Sequence, residues 1–177
     1  MNVHEVPFYA HDLYFREWQD SDIDEMVQLF DTDEMNRWTP LLSPFTPAVA
    51  AEYVSGAHGA RERDGTLQLA VCAVPDGPAL GEVIMFPSSQ PDTVELAYAV
   101  GAAHRGQRIG ARAVAAVLDL ARQSGARCAV LTIASDNTAS QATASAAGFV
   151  KADAAPRHRE RKGFVLQMET WEQQLHP

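Results

Sequence analysis

Val94-Glu95-Leu96-Ala97-Tyr98-Ala99-Val100, then Gly101 to Arg105, then Gly106-Gln107-Arg108-Ile109-Gly110-Ala111, is the stretch on which the fold turns. Its first seven residues alternate, with Val94, Leu96, Tyr98 and Val100 on one face and Glu95, Ala97 and Ala99 on the other, the period of a strand. From Arg108 the period becomes helical: Val114, Val117, Leu118 and Ala121 form the buried stripe, and Arg112, Asp119 and Arg122 lie outside it. Gly125 supplies the left-handed stop. The first N–H groups of a helix have no internal partners and sit at the positive end of its dipole. A strand, a glycine turn carrying Arg105 and Arg108, and a helix start therefore make a cradle for a diphosphate. Many tight turns with no ligand share this local sequence, so the rest of the chain has to decide.

Upstream, Leu13 and Phe15 alternate with Tyr14 and Arg16 as a first strand, and residues 1–12, which lack a period, are expected to form a loose arm. Ser21, with Asp24 three residues later, reads as the cap of a helix whose buried face is Ile23, Met26, Val27 and Phe30. Asp31 to Phe45 reads as a loop whose Trp38, Leu41, Leu42 and Phe45 either pack over the core or line a pocket. Thr46 and Pro47 begin a second helix that buries Val49, Tyr53 and Val54. Leu67 to Ala73 and Leu80 to Phe86 are strands joined by the turn Pro75-Asp76-Gly77-Pro78.

Downstream, Ala129, Leu131 and Ile133 mark a buried strand. Asp136 or Asn137 caps an alanine-rich helix that stops at Gly148, and Phe164 to Trp171 closes the chain as a strand. Arg157 to Lys162 reads as an exposed turn. The order is β-α-α-β-β-β-α-β-α-β-β, one mixed α/β domain over 13–177.

Bulk composition narrows the classes. The 177 residues carry a formal charge of −9, but unevenly: −9 over 1–64, −4 over 65–104 and +4 over 105–177. An acidic chain is a poor binder of nucleic-acid backbone, whereas a basic final third fits a local site for a small anion as well as it fits an uneven solvated surface. No apolar run approaches the ~20 residues of a membrane span, and the N-terminus lacks a secretory pattern, so a cytoplasmic protein is expected. Cys72 and Cys128 are expected as buried packing residues.

The sequence contains no G-x-G-x-x-G, no P-loop, no G-x-S-x-G elbow and no H-E-x-x-H, so no motif supports dinucleotide, nucleophilic or metal chemistry. What remains carries a resemblance. Arg105-Gly106-Gln107-Arg108-Ile109-Gly110 resembles the pyrophosphate loop of the GNAT N-acetyltransferases, usually written Q/R-x-x-G-x-G/A. Asn137, Ser140 and Gly148-Phe149 fall at that family's N-x-x-S … G-F spacing. The Phe15-Arg16-Glu17 strand, the acidic helix after it and the order of elements resemble the RimJ/RimL branch, which acetylates α-amino groups of ribosomal proteins and includes relatives with other amine substrates. The likeness runs from Leu13 to Trp171. One position departs: the family's central glycine is Arg108, whose side chain either crowds a diphosphate or pairs with a phosphate.

The resemblance implies a GNAT-like, mostly antiparallel sheet of about seven strands flanked by about four helices, with acetyl-CoA as co-substrate and no metal. The co-substrate would lie where the strand ending at Val100 splays from the strand ending at Ala134. Its binding residues would be Tyr98, Ala99 and Val100 through the backbone, the loop residues Arg105, Gly106, Gln107, Arg108, Ile109, Gly110 and Ala111, and Asn137 and Ser140. Glu95 is the candidate base for the amine. Ser140 is the candidate acid for the leaving thiolate, because the tyrosine many members carry is Ala144 here. Trp38 and the acidic N-terminal half would face the acceptor, a protein N-terminus or a small amine such as a polyamine or aminoglycoside. Two other readings stay open: a silent acyl-CoA-binding domain, and an unrelated nucleotide-binding α/β protein. No nucleic-acid or membrane partner is expected, and monomer and homodimer fit equally.

Overall fold

Alternating apolar residues in five consecutive strands, all on one parity, give this chain a sheet with a face that only a helix can cover. The computed structural model describes residues 5–175. Strands β1 (Phe8–Ala10) and β2 (Leu13–Glu17) lead into a short 3-10 turn and three helices: α1 (Ile23–Phe30), α2 (Asp33–Trp38) and α3 (Pro47–Asp64). Then come β3 (Leu67–Cys72), β4 (Ala79–Pro87), β5 (Thr93–Val100), α4 (Ile109–Gln123), β6 (Cys128–Ala134), α5 (Thr138–Ala146), β7 (Val150–Lys151), β8 (Arg157–Arg161) and β9 (Phe164–Gln174). The sheet order is β1-β2-β3-β4-β5-β6-β9-β7, with β8 also on β9. Every pairing is antiparallel except β5 with β6. The mixed, mostly antiparallel architecture is the expected one, but with nine strands and five α-helices among the described residues where about seven and about four were expected.

Register aligns the apolar parity across the sheet: Leu69 faces Val83, Val83 faces Tyr98, and Leu96 faces Leu131. This face packs on α4, whose Ala113, Val114, Ala116, Val117, Leu118 and Ala121 are buried with it. The other face, carrying Ala70, Cys72 and Ala99, lies under α1 and α3, whose Met26, Phe30, Ala50 and Val54 form a second core with Trp18 and Phe45. Glu95, Ala97 and Ala99 thus share this second covered face, which also holds the cavities described below.

Several local expectations change. Phe8–Ala10 is a strand, paired in register with Leu13–Phe15, where a loose arm over 1–12 was expected; residues 1–4 lie outside the described ones. The expected cap of Ser21 with Asp24 does not form: the capping box, Gln19 with Asp22, belongs to the 3-10 turn that precedes α1, and α1 starts from Asp22 with no side-chain cap of its own. The 31–45 segment contains α2, capped by Thr32, whose hydroxyl accepts from the Met35 N–H at 3.2 Å. Arg157–Arg161 is an exposed strand on β9 in place of a turn. Cys72 is buried as expected, but Cys128 is only half-buried at the start of β6. Thr46 and Pro47 begin α3 as read from the sequence, and Gly125 sits at φ +86° just past α4.

Candidate active site

Strands β5 and β6 pair from Thr93↔Cys128 only as far as Leu96↔Leu131, although β5 continues to Val100 and β6 to Ala134. Beyond that rung they part, and β5 is left with one edge of its backbone, Ala97 to Val100, facing an opening. The sequence explains why the opening persists. Beyond β5, no backbone N–H between Gly106 and Ala111 donates to a described residue, and Arg112 is the first to do so, to the Arg108 carbonyl at 3.0 Å. Unpaired donors and the positive end of α4 therefore face the mouth of the parting.

Gly110 is needed by close approach: a Cβ there would stand 3.1 Å from the Thr143 Cγ2 and 3.5 Å from the Val100 Cγ2. Arg108 holds φ +59° at the N-cap of α4, a left-handed conformation that glycine adopts without strain. An arginine there costs roughly 1 kcal/mol. Its side chain is exposed, makes no ion pair among the described residues and is not part of the cavity lining.

A cavity of about 320 Å³ fills the parting. Of the predicted cofactor residues, Tyr98, Ala99, Val100, Arg105, Gly106, Gly110, Asn137 and Ser140 line it. Gln107 and Arg108 stand exposed on the loop, Ala111 is half-buried and the Ile109 side chain is in the core, and none of these four lines the cavity. Asn137 caps α5, its Oδ1 accepting from the Ser140 N–H at 3.1 Å. The Tyr98 hydroxyl lies 2.8 Å from both the carbonyl and the hydroxyl of Ser140. Burial pushes this phenol above its ordinary value, opposed by the Ser140 and Thr143 hydroxyls, so it stays protonated. Ala144 is in the core. The one phenol beside α5 in this cavity comes from β5, as Tyr98.

Helix α2 roofs this cavity with Glu34, Met35 and Trp38. Trp38, expected to face the acceptor, lines this first cavity; it packs with Phe164 on the Ala134, Leu166 and Met168 cluster and carries the Arg37 guanidinium 4.5 Å over its ring.

A second cavity of about 520 Å³ adjoins the first at Thr39, Tyr98 and Ala99. Its walls are mostly apolar: Leu41, Leu42, Phe45, Val49, Ala57, Ile84, Phe86 and Ala97. Glu82 also lines it, 4% exposed, with its Oε1 accepting from Trp18 Nε1 at 2.7 Å and Gln68 Nε2 at 3.1 Å and its Oε2 accepting from the Tyr53 hydroxyl at 2.8 Å. Burial pushes the Glu82 carboxyl up, against the pull of these three donors. The sequence reading missed Glu82. Its signal was a lone carboxylate in a strand apolar on both parities, a position where charge is rare unless it serves. Glu95 is exposed and lines neither cavity; it lies opposite Phe86 on the same face of the sheet, with the Thr132 hydroxyl donating to it at 3.4 Å. Among the described residues no cluster of three or more His, Cys, Asp or Glu suits a metal ion, and no helix is long and apolar enough to cross a membrane.

Comparison with known proteins places the fold and the family. No curated protein sequence matches the chain. Solved structures share its fold. Ribosomal-protein-S5-alanine acetyltransferase from Vibrio fischeri superposes with a TM-score of 0.80 at 17% identity, covering 97% of both chains. Mycobacterium smegmatis RimJ in complex with CoA-disulfide gives 0.79 at 18%, covering 95% of this chain and 85% of its own. The acetyltransferase yncA from Salmonella typhimurium with acetyl-CoA gives 0.71 at 20%, covering 93% and 95%. The family model for the acetyltransferase (GNAT) domain matches residues 12–150, most of the chain, and the protein therefore belongs to the GNAT acetyltransferase family.

Proposed function

We propose that this protein transfers the acetyl group of acetyl-CoA to a primary amine by direct attack with both substrates bound, in the manner of the RimJ/RimL-like enzymes it resembles. The observation that carries the reading is the parting of β5 from β6 above the unpaired N–H groups of Gly106 to Ala111. These donors, with Arg105, suit a diphosphate. The free edge of β5 from Ala97 to Val100 suits the amides of an extended pantetheine arm, which would add to it as a strand does. When bound, acetyl-CoA supplies a thioester carbonyl open to attack.

The chain's own residues then have three tasks. A backbone N–H of β5 polarises the carbonyl. Glu95, exposed on the same face of β5 four residues before Ala99, takes the proton of the incoming ammonium through a chain of waters before the amine settles in the second cavity, because only a neutral amine has a lone pair to offer. Ser140 gives a proton to the departing thiolate, and Tyr98, hydrogen-bonded to it, restores that proton. The balance is one N–C bond formed, one C–S bond broken and two protons lost by the ammonium nitrogen. One leaves through Glu95 and water to solvent before attack, and the other, shed by nitrogen after attack, returns through water to Tyr98 and so replaces the proton given to the thiolate. Two cavities meeting at Thr39, Tyr98 and Ala99 give each substrate its own entrance, which supports a ternary complex.

The test is release of free thiol from acetyl-CoA with a panel of primary amines. Turnover that falls in Glu95→Gln, with loss of the acid limb of the pH–rate profile, supports the base assignment. An unchanged profile rejects it, and no thiol release with any amine rejects the transferase.

A further inference from the structure

Glu82 is a buried carboxyl group with no cation beside it. It takes part in no ion pair among the described residues, and its three partners, Trp18, Gln68 and Tyr53, are all neutral donors. An ionised carboxylate has about four acceptor sites, so these donors leave one open. Glu82 lines the larger cavity, and in the sheet register it stands beside Ala99, where the two cavities join.

The remaining wall is apolar. Leu41, Phe45 and Ala57 are buried there, with Ile84 and Phe86 half-buried beside them. The other carboxylate on the lining, Glu52, is exposed on α3. A ligand with several charges would have to strip water from each one and find only a single buried partner, which disfavours it strongly. A ligand with one positive charge and a hydrocarbon body meets the site's chemistry at every wall.

We infer that the acceptor is an apolar primary monoamine, alkyl or aryl, whose single positive charge is received by Glu82 while its body fills the Leu41–Phe45–Ile84–Phe86 walls. The inference rests on the reading of this site as that of an amine acetyltransferase, and it narrows the acceptor away from the multiply charged polyamines and aminoglycosides; the polar peptide bonds that follow the ammonium of a polypeptide N-terminus would lack partners on the apolar walls. Trp18, Gln68 and Tyr53 hold the carboxylate in one orientation and keep it an acceptor, which makes Glu82 a specificity determinant.

Binding and turnover are read separately. Calorimetry of the full chain with CoA present, titrated with hexylamine, 2-phenylethylamine and 1-hexanol, is expected to show saturable binding of both amines. Hexanol is expected to bind at least tenfold more weakly, and Glu82→Gln to lose at least tenfold in affinity for the amines while its affinity for CoA stays within twofold. Should Glu82→Gln fail to fold, Ile84→Ala serves, with at least a threefold loss expected for 2-phenylethylamine. Thiol release from acetyl-CoA is expected to favour the monoamines in kcat/KM by at least tenfold over spermidine, kanamycin and an alanine-initiated hexapeptide. Amine binding that depends on Glu82 without thiol release supports this inference and overturns the transferase reading. Thiol release fastest with spermidine, kanamycin or the peptide, or amine affinity unchanged in Glu82→Gln and Ile84→Ala, overturns the inference and leaves the transferase standing.

Discussion

The Arg105 guanidinium donates to the Glu34 carboxylate at 2.5 Å across the mouth of the cofactor cavity. On the other side of the same opening Arg37 donates to Asp136 at 2.8 Å. Helix α2 is thereby pinned to the segment after β5 and to the segment after β6, straddling the parted strands. Both pairs are largely exposed, and such pairs contribute only about 0.2–1 kcal/mol each. They orient the roof more than they stabilise the fold.

Glu34→Gln follows from this. Arg105 then breaks no ion pair to reach a phosphate, and a negative charge leaves the rim, so affinity for CoA is expected to rise about three- to tenfold while stability changes by less than ~1 kcal/mol. Titration calorimetry with CoA at low and high salt checks it, the gain shrinking as salt screens the rim.

Gly110→Val tests the close approach of α4, β5 and α5. A Cβ at that position already stands 3.1 Å from the Thr143 Cγ2, and the two further methyl groups of valine have to push the first turn of α4 away from it. Overpacking of this kind costs about 1–3 kcal/mol. CoA affinity is expected to fall at least tenfold, measured against the loss of stability in urea.

Much of this site was legible because it depends on backbone. The alternation of Val94 to Val100, the glycines and the helical stripe after Arg108 fix where β5 ends and α4 begins, and so where unpaired N–H groups must gather. What escaped was short or lacked contrast. Helix α2 has six residues, of which only Met35 is buried, too few for a period to show. Strand β8 is exposed nearly throughout, and its pairing with β9 leaves no apolar pattern in Arg157 to Arg161. The Tyr98 hydroxyl meeting Ser140, and the donors gathered on Glu82 from β3, α3 and the residue after β2, are long-range meetings that no local spacing encodes.

Tyr98→Phe removes the phenol but keeps the ring against Gly110. If Tyr98 resupplies the proton of Ser140, kcat is expected to fall about tenfold or more with the KM for acetyl-CoA within twofold. A carbonyl of Ser140 left without its donor costs ~1 kcal/mol of stability. Parallel loss of kcat and affinity would point to packing instead.

Glu82→Gln changes how stability depends on pH. Burial raises the Glu82 carboxyl above its ordinary value near 4.5, so the folded protein binds this proton more tightly than the unfolded chain. Its favourable contribution is complete below that ordinary value and is lost as pH rises through the raised one. The stability difference between variant and wild type, measured by urea unfolding, is expected to shift in favour of Glu82→Gln across that window and then level off. A difference independent of pH contradicts the assignment.

The proposed transfer requires the N–H groups of Gly106 to Ala111 to grip CoA under the parted strands. Calorimetric titration of the full chain with CoA tests this most directly. The expected result is saturable one-to-one heat, with binding tighter than that of ATP or NAD and at least tenfold weaker in Gly110→Val. Absence of saturable heat with CoA, or tighter binding of ATP or NAD, would contradict it.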